Sequence, residues 1–476
     1  MSDALEFDFI IVGSGPGGQE AATQALRSGK SVALIEKERD IGGHCLHHGT
    51  IPSKTLRETA NNLARFAKHA TGFDFAFKDN VQVESLMSRK DAVRNAHVKA
   101  IAKHIHGVSY FRGKGRMVDP YHVEITDIKG NKQNLRGKFI VIATGSRPRS
   151  PDNVPVDHEH ILDSDSILSM IYLPSSLVVF GAGVIACEYA TIFASLGVQV
   201  TLVDSGDRPL KFLDPELTDR FVKSFEEAGG VYLGNEQIDK VEWDGVANVV
   251  TKLKSGKILL SQKALVALGR VANVEILQPQ NAGLALDKRS LLVVNKEYQT
   301  LHPHIYAVGD VIGFPALAST SMEQGRRAVC HALGINPGSM FENVPMGIYT
   351  IPEISAIGLT EQEALAKCGK IYVGKTDFRE VARGEISDIE NGLLKLVTGP
   401  DGREILGAHI IGEGATELIH LTQMAILAKL PVDVFIENVM NFPTLAEAYR
   451  IAALSIRDQR EADERLAAAD AAKPAE

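Results

Sequence analysis

Two segments of the chain repeat one design. Residues 8 to 36 read DFIIVGSGPGGQEAATQALRSGKSVALIE, and residues 176 to 204 read SLVVFGAGVIACEYATIFASLGVQVTLVD. In each, a short apolar strand runs into a glycine turn, an alanine-rich helix follows, and a second apolar strand ends in an acid. Two strands joined through a helix are parallel neighbours in a sheet. The glycines let the backbone turn tightly and approach a pyrophosphate, whose charge then sits at the helix N-terminus. The terminal acid, Glu36 or Asp204, can accept hydrogen bonds from a ribose 2′-OH. One glycine turn before a helix is a weak signal. Two, each in the strand–turn–helix–strand–acid context, imply two dinucleotides. The first turn is Gly13, Gly15 and Gly18; the second is Gly181 and Gly183, with Ala186 in the third place.

The length of 476 residues suits roughly three domains. The net charge of -8 disfavours nucleic acid as a partner and offers no basic surface to a membrane. The longest apolar region, around residues 176 to 197, is broken by glycines, serines and Glu188, so it does not read as a membrane span. The first apolar strand starts too near the N-terminus for a cleavable signal. Cys45, Cys187, Cys330 and Cys368 are scattered without a CxxC pair, the pattern of a reducing compartment. A cytoplasmic protein is expected.

The fold class expected is α/β: two Rossmann-like dinucleotide-binding domains plus a C-terminal α+β dimerisation domain. The second dinucleotide unit continues to LVALGR, residues 265 to 270. In TLHPHIYAVGDVIG, residues 300 to 313, Asp310 follows a buried strand. A final helix is expected to start after Pro443 and to run into a charged, alanine-rich tail that frays at its end.

Seven segments in order carry a resemblance: VGSGPGG, GGHC followed by GTIPSK, VIATGSRPR at 141 to 149, GAGVIACEYA, IYAVGD, YTIPEISAIG at 349 to 358 and FPTLAEAYR at 442 to 450. Together they resemble the flavoprotein pyridine nucleotide–disulfide oxidoreductases over nearly the whole chain. The resemblance implies FAD, one per subunit, on the first unit and NAD(H) or NADP(H) as substrates on the second. It implies an FAD domain at 1–150, an NAD(P) domain at 151–275, a second part of the FAD domain at 276–345 and a dimerisation domain with a helical tail at 346–476. A homodimer follows, with larger homo-oligomers left open. The cofactor contacts expected, for flavin and nicotinamide together, are Gly13, Gly15, Gly18, Glu36, Cys45, Thr50, Ala143, Gly145, Gly181, Gly183, Asp204, Arg208, Gly269 and Asp310. Lys54 matches the lysine beside the flavin's reactive nitrogen, and Glu188 the acid that pairs with it. A cation there stabilises negative charge on the ring, and a paired acid keeps a buried lysine charged.

The departures from the family pattern decide the reaction. The dithiol CxxxxC is Cys45 followed by Thr50, so no disulfide can form, and Cys45 reads as a structural remnant of the loop, a small buried hydrophobe. The histidine of the HPTxxE segment is Phe442, while Pro443, Thr444 and Glu447 remain, and a phenylalanine transfers no proton. This pattern is similar to the transhydrogenase branch of the family. It implies NADPH + NAD⁺ ⇌ NADP⁺ + NADH, ping-pong through reduced flavin, without a redox disulfide. Two alternatives stay open: an NAD(P)H:quinone or dye reductase, and a single-thiol sulfenic-acid enzyme with Cys45 poised by His47 or His48. A metal at His44, Cys45, His47 and His48 is not expected, because adjacent histidines on a short turn point apart. NADP recognition beside Asp204 needs compensation, for which Ser205, Arg208 and Lys211 are the candidates.

Overall fold

A computed structural model describes residues 4–69, 83–339 and 343–471. They divide into two compact units. One holds residues 4–59, 83–173 and 266–339; the other holds 60–69, 174–265 and 343–471.

The first unit is built on the strand Leu5–Val12, whose last four residues are fully enclosed. It pairs in parallel with Val32–Glu36 and with the C-terminal half of Lys132–Ile142. Ser109–Arg112 extends the parallel sheet on one side. Ile305–Ala307 returns late in the chain to pair in parallel with Ile140, Val141 and Ile142. The N-terminal half of Lys132–Ile142 pairs antiparallel with His122–Thr126, which pairs in turn with Lys114–Met117. Helix Pro16–Arg27 buries Ala21, Ala22 and Ala25. Their small side chains join Phe9, Ile11, Leu34 and Val141 in one core. Enclosing each of the larger side chains, Phe9, Ile11, Leu34 and Val141, contributes about 1.5–3 kcal/mol.

Helix Ala318–Ala332 crosses Pro16–Arg27 at backbone contact. A Cβ on Gly325 would lie 2.1 Å from the Gly17 carbonyl oxygen. Glycine is therefore required there, and the crossing fixes the first glycine turn from behind.

In the second unit, Ser176–Phe180 pairs in parallel with Gln199–Val203, and that strand with Val231–Leu233. Helix Val184–Ser195 is enclosed along almost its whole length. A separate five-stranded antiparallel sheet runs Met346–Ile348, Ile354–Gly358, Ile405–Ile411, Leu393–Thr398, Tyr372–Asp377. Helix Ala415–Leu427 and the long helix Glu447–Ala471 supply Ala415, Ile419, Ala448, Tyr449, Ala452 and Ile456 to its core. That last helix runs from Glu447; it is entered through a tighter turn, in which the N–H groups of Glu447, Ala448 and Tyr449 donate to the carbonyls three residues back while the Glu447 carboxylate accepts the Thr444 N–H at 3.3 Å. The alanine-rich tail continues as helix to Ala471, and the fraying expected beyond it falls outside the described residues. Lys395, 2% exposed, donates to both oxygens of Asp214, the N-cap of helix Pro215–Glu227, at 3.0 and 2.9 Å. The pair ties this sheet to the nucleotide-type fold within the same unit.

Candidate active site

The first unit holds a cavity of about 430 Å³. Its wall comes from the glycine turn at 13–17, the end of the second strand, the loop at 43–50, the turn Ala143–Arg147, and Gly309 and Asp310. The three glycines of the turn have different duties. Gly13 has φ +105°, and a Cβ on it would lie 2.3 Å from the Ala143 carbonyl oxygen. A Cβ on Gly18 would lie 1.9 Å from the Gly13 carbonyl oxygen. Both are needed for backbone to meet backbone. A Cβ on Gly15 would meet nothing within 4 Å. That space opens on the cavity at the N-terminus of helix Pro16–Arg27, where unpaired N–H groups favour an anion. Gly145, at φ +68° with nothing beside it, lines the same cavity.

Glu36 ends its strand 5% exposed. Its Oε2 accepts the Ser14 backbone N–H at 3.0 Å and the Ser14 hydroxyl at 2.6 Å, and its Oε1 accepts the Glu38 N–H at 3.0 Å. A carboxylate has about four lone-pair sites, so one remains on Oε1. Ser14 Oγ also accepts the Gly42 N–H at 3.0 Å, which ties the cysteine loop to the glycine turn. Spacing alone did not single out Ser14. Its hydroxyl placement between the glycines was the available signal.

Cys45 sits on the short helix Gly43–His47, and Thr50 opens the helix Thr50–His69. The Thr50 hydroxyl is the side-chain hydrogen-bond partner of the thiol. Burial is the largest influence on that thiol and outweighs Thr50 and the Lys54 charge, so its pKa stands above that of an ordinary cysteine. All four cysteines are free. Lys54 is half-buried and its ammonium lies 3.4 Å from Ser53 Oγ. His44 is pushed down to about 3 by burial and then by the Arg270 guanidinium, so it is a neutral imidazole at physiological pH. His47 Nε2 lies 2.9 Å from the Ile41 carbonyl oxygen. Among the described residues, no three His, Cys, Asp or Glu side chains gather closely enough to hold a metal ion.

Asp310 projects from the turn Gly309–Ile312 after the buried strand Ile305–Ala307. Ser146 Oγ donates to its Oδ2 at 2.6 Å. Arg270 donates through Nε to Ser146 Oγ and through Nη2 to the Ser146 carbonyl, both at 2.8 Å. Gly269 does not line the cavity. Its φ of +100° turns the chain into the strand Arg270–Ala272, which pairs with Ser146–Pro148. Ser146 and Arg270 were missed in the sequence because their partners are 164 and 124 positions away.

In the second unit the same local design recurs. Gly181 has φ +95°, a Cβ on Gly183 would meet nothing within 4 Å, and Ala186 is fully buried in the third place. Asp204 Oδ1 accepts the Ala182 N–H at 3.1 Å, and its Oδ2 accepts the Gly206 N–H at 2.7 Å. Ser205 and Lys211 are exposed. Arg208 Nη2 donates to the Lys211 carbonyl at 3.1 Å. Glu188 is 4% exposed rather than solvated, and its Oε1 accepts the Tyr349 N–H at 2.9 Å. Phe442 is 75% exposed.

Comparison with known proteins accords with this geometry. The family described as "Pyridine nucleotide-disulphide oxidoreductase" matches residues 7–325, and its dimerisation domain matches residues 344–453. The chain belongs to the pyridine nucleotide-disulphide oxidoreductases. It is 40% identical over 461 residues to a soluble pyridine nucleotide transhydrogenase of Mycobacterium bovis, covering 96% of this chain and 98% of that one. It is 41% identical over 468 residues to the protein of the same name from Hamiltonella defensa, covering 96% and 99%. Among solved structures, LpdA from Mycobacterium tuberculosis superposes with a TM-score of 0.87 at 26% identity, covering 95% of this chain and 99% of that one. The HOCl-induced flavoprotein disulfide reductase RclA from Escherichia coli shares the fold, with a TM-score of 0.84 at 24% identity, covering 94% and 99%. The chain is an α/β flavoenzyme that binds FAD and uses nicotinamide dinucleotides as substrates. The cradle fits that cofactor: the open space at Gly15 and the one free lone pair on Glu36 are what a pyrophosphate and a ribose need. Among the described residues, no helix is long and apolar enough to cross a membrane.

Proposed function

We propose that this enzyme is an FAD-dependent soluble transhydrogenase, carrying out NADPH + NAD⁺ ⇌ NADP⁺ + NADH in the cytoplasm as a homodimer formed through residues 346–476. The observation that carries this reading is the partner of Cys45, which is the hydroxyl of Thr50 and not a second sulfur. With Phe442 where a proton-transferring histidine would stand, both halves of a thiol relay are missing.

Bound FAD supplies a ring that takes a hydride from one nicotinamide and returns it to another. The chain's task is binding, orientation and water exclusion. Gly13 and Gly18 keep the turn tight by letting backbone meet backbone, the open space at Gly15 admits the pyrophosphate to the N-terminus of helix Pro16–Arg27, and Glu36 takes a ribose hydroxyl. Asp310, held by Ser146 and Arg270, takes a polyol hydroxyl. Lys54 places a cation beside the ring. Gly181, Gly183 and Asp204 receive the two nucleotides in turn. Hydride in and hydride out balance without a net proton, so neither a dithiol nor a histidine is required.

The test is reduction of thio-NAD⁺ by NADPH with no other acceptor. Rapid turnover is the expected result. Turnover that requires added quinone would instead indicate a quinone reductase on the same scaffold.

A further inference from the structure

The end of the second nucleotide unit holds an arrangement that an NAD-only or NADP-only site does not need. The Asp204 carboxylate is fastened by the N–H groups of Ala182 and Gly206, so it cannot swing aside from an incoming 2′-phosphate. A compensating cation has to come to it. The Lys211 stem lies across Gly206: a Cβ on that glycine would be 2.5 Å from Lys211 Cε, 3.2 Å from its Nζ and 2.7 Å from Asp204 Oδ2. The ammonium is therefore delivered to the neighbourhood of the fixed acid. There it is paired with Asp207, Nζ to Oδ1, at 2.6 Å, with the two side chains 58% and 67% exposed. An ion pair so exposed contributes little and opens easily in water. Arg208 braces the same turn through the Lys211 carbonyl.

We infer that Asp207 and Lys211 form an exchangeable ion pair that lets one site accept both nucleotides. The 2′-phosphate of NADP(H) displaces the Asp207 carboxylate from the Lys211 ammonium. NAD(H) leaves the pair closed and meets Asp204 through its ribose hydroxyls. A phosphate monoester carries nearly two negative charges and three acceptor oxygens, so it outcompetes one carboxylate for the same ammonium. This rests on the two-nucleotide reaction proposed above and adds how the site discriminates. Asp207 acts as a built-in competitor that keeps NADP(H) from binding so tightly that it excludes NAD(H).

The probes are 2′,5′-ADP and 5′-AMP, titrated calorimetrically into the FAD-loaded enzyme and into its Asp207→Asn and Lys211→Met variants. Asp207→Asn is expected to tighten 2′,5′-ADP by roughly twofold to fivefold. Lys211→Met is expected to weaken it by about tenfold or more. For both variants 5′-AMP affinity should hold within about twofold, which also shows that the loop still folds. The proposal is overturned if Asp207→Asn leaves 2′,5′-ADP unchanged, if Lys211→Met does so, or if the two probes shift together. Binding is read without turnover, so this result stands apart from failure of the transhydrogenase reading, which would appear as a wild-type enzyme that binds both probes yet does not reduce thio-NAD⁺.

Discussion

The two nucleotide-type units use the same local grammar and reach different ends. In both, the acid closing the second strand accepts the N–H of the residue after the first glycine: Glu36 from Ser14, and Asp204 from Ala182. In the first unit that acid is enclosed and takes a further hydroxyl and a further N–H, and the turn is pinned by the Gly17–Gly325 crossing. In the second, the acid is half-buried and is followed by an exposed loop with an open ion pair. The first arrangement suits a cofactor that stays; the second suits substrates that come and go. The difference lies in what surrounds the motif rather than in the motif itself.

The third place of each turn gives the largest expected contrast. Ala186 is tolerated there in the second unit, whereas a Cβ at Gly18 would sit 1.9 Å from the Gly13 carbonyl oxygen. Gly18→Ala should cost about 3 kcal/mol of stability and leave the purified protein without flavin, measured by thermal melting and by the flavin-to-protein absorbance ratio. If it binds FAD normally, the first cradle is not as tight as described. Next comes Lys54→Met, expected to slow flavin reduction about 100-fold by NADPH and NADH alike while FAD stays bound. Stopped-flow bleaching measures this, and an effect on only one nucleotide would move Lys54 from the chemistry to recognition.

A milder pair of changes separates the two cradles directly. Gly15 and Gly183 both face open space, so alanine at either should fold. Gly15→Ala should weaken FAD retention on dilution. Gly183→Ala should keep FAD and raise the KM for both nucleotides about tenfold, or roughly 1.4 kcal/mol. The comparison fails if the two variants behave alike. The smallest effect is expected at Cys45. Cys45→Ser should change turnover less than about threefold, under 0.7 kcal/mol. Because burial raises the thiol's pKa, its thiolate fraction at neutral pH lies below that of a free cysteine and grows as pH rises. Iodoacetamide labelling of Cys45 should therefore be slow at neutral pH and still climbing where an ordinary cysteine levels off.

What the sequence disclosed and withheld follows from distance along the chain. The glycine turns, their helices and the closing acids were legible because each is written within 29 consecutive residues. Asp310 was legible because it follows a short apolar strand. The Ser146–Arg270 clamp on Asp310 was not, since it joins three segments that only the folded sheet brings together. Glu188 was readable as enclosed from its apolar neighbours, but its bond to the Tyr349 N–H was not. Cys45 was legible as a small buried residue of its loop, because no second thiol follows it. How far burial outweighs Thr50 and the Lys54 charge at its sulfur was not, since the enclosing contacts form only in the folded loop.

The most direct test of a route that bypasses sulfur is anaerobic titration of the purified enzyme with NADPH, followed by NAD⁺. One NADPH per FAD should bleach the flavin completely, without a thiolate-to-flavin charge-transfer band, and NAD⁺ should restore the oxidised spectrum with one NADH formed. Uptake of a second reducing equivalent pair per FAD, or a charge-transfer band on reduction, would contradict the account.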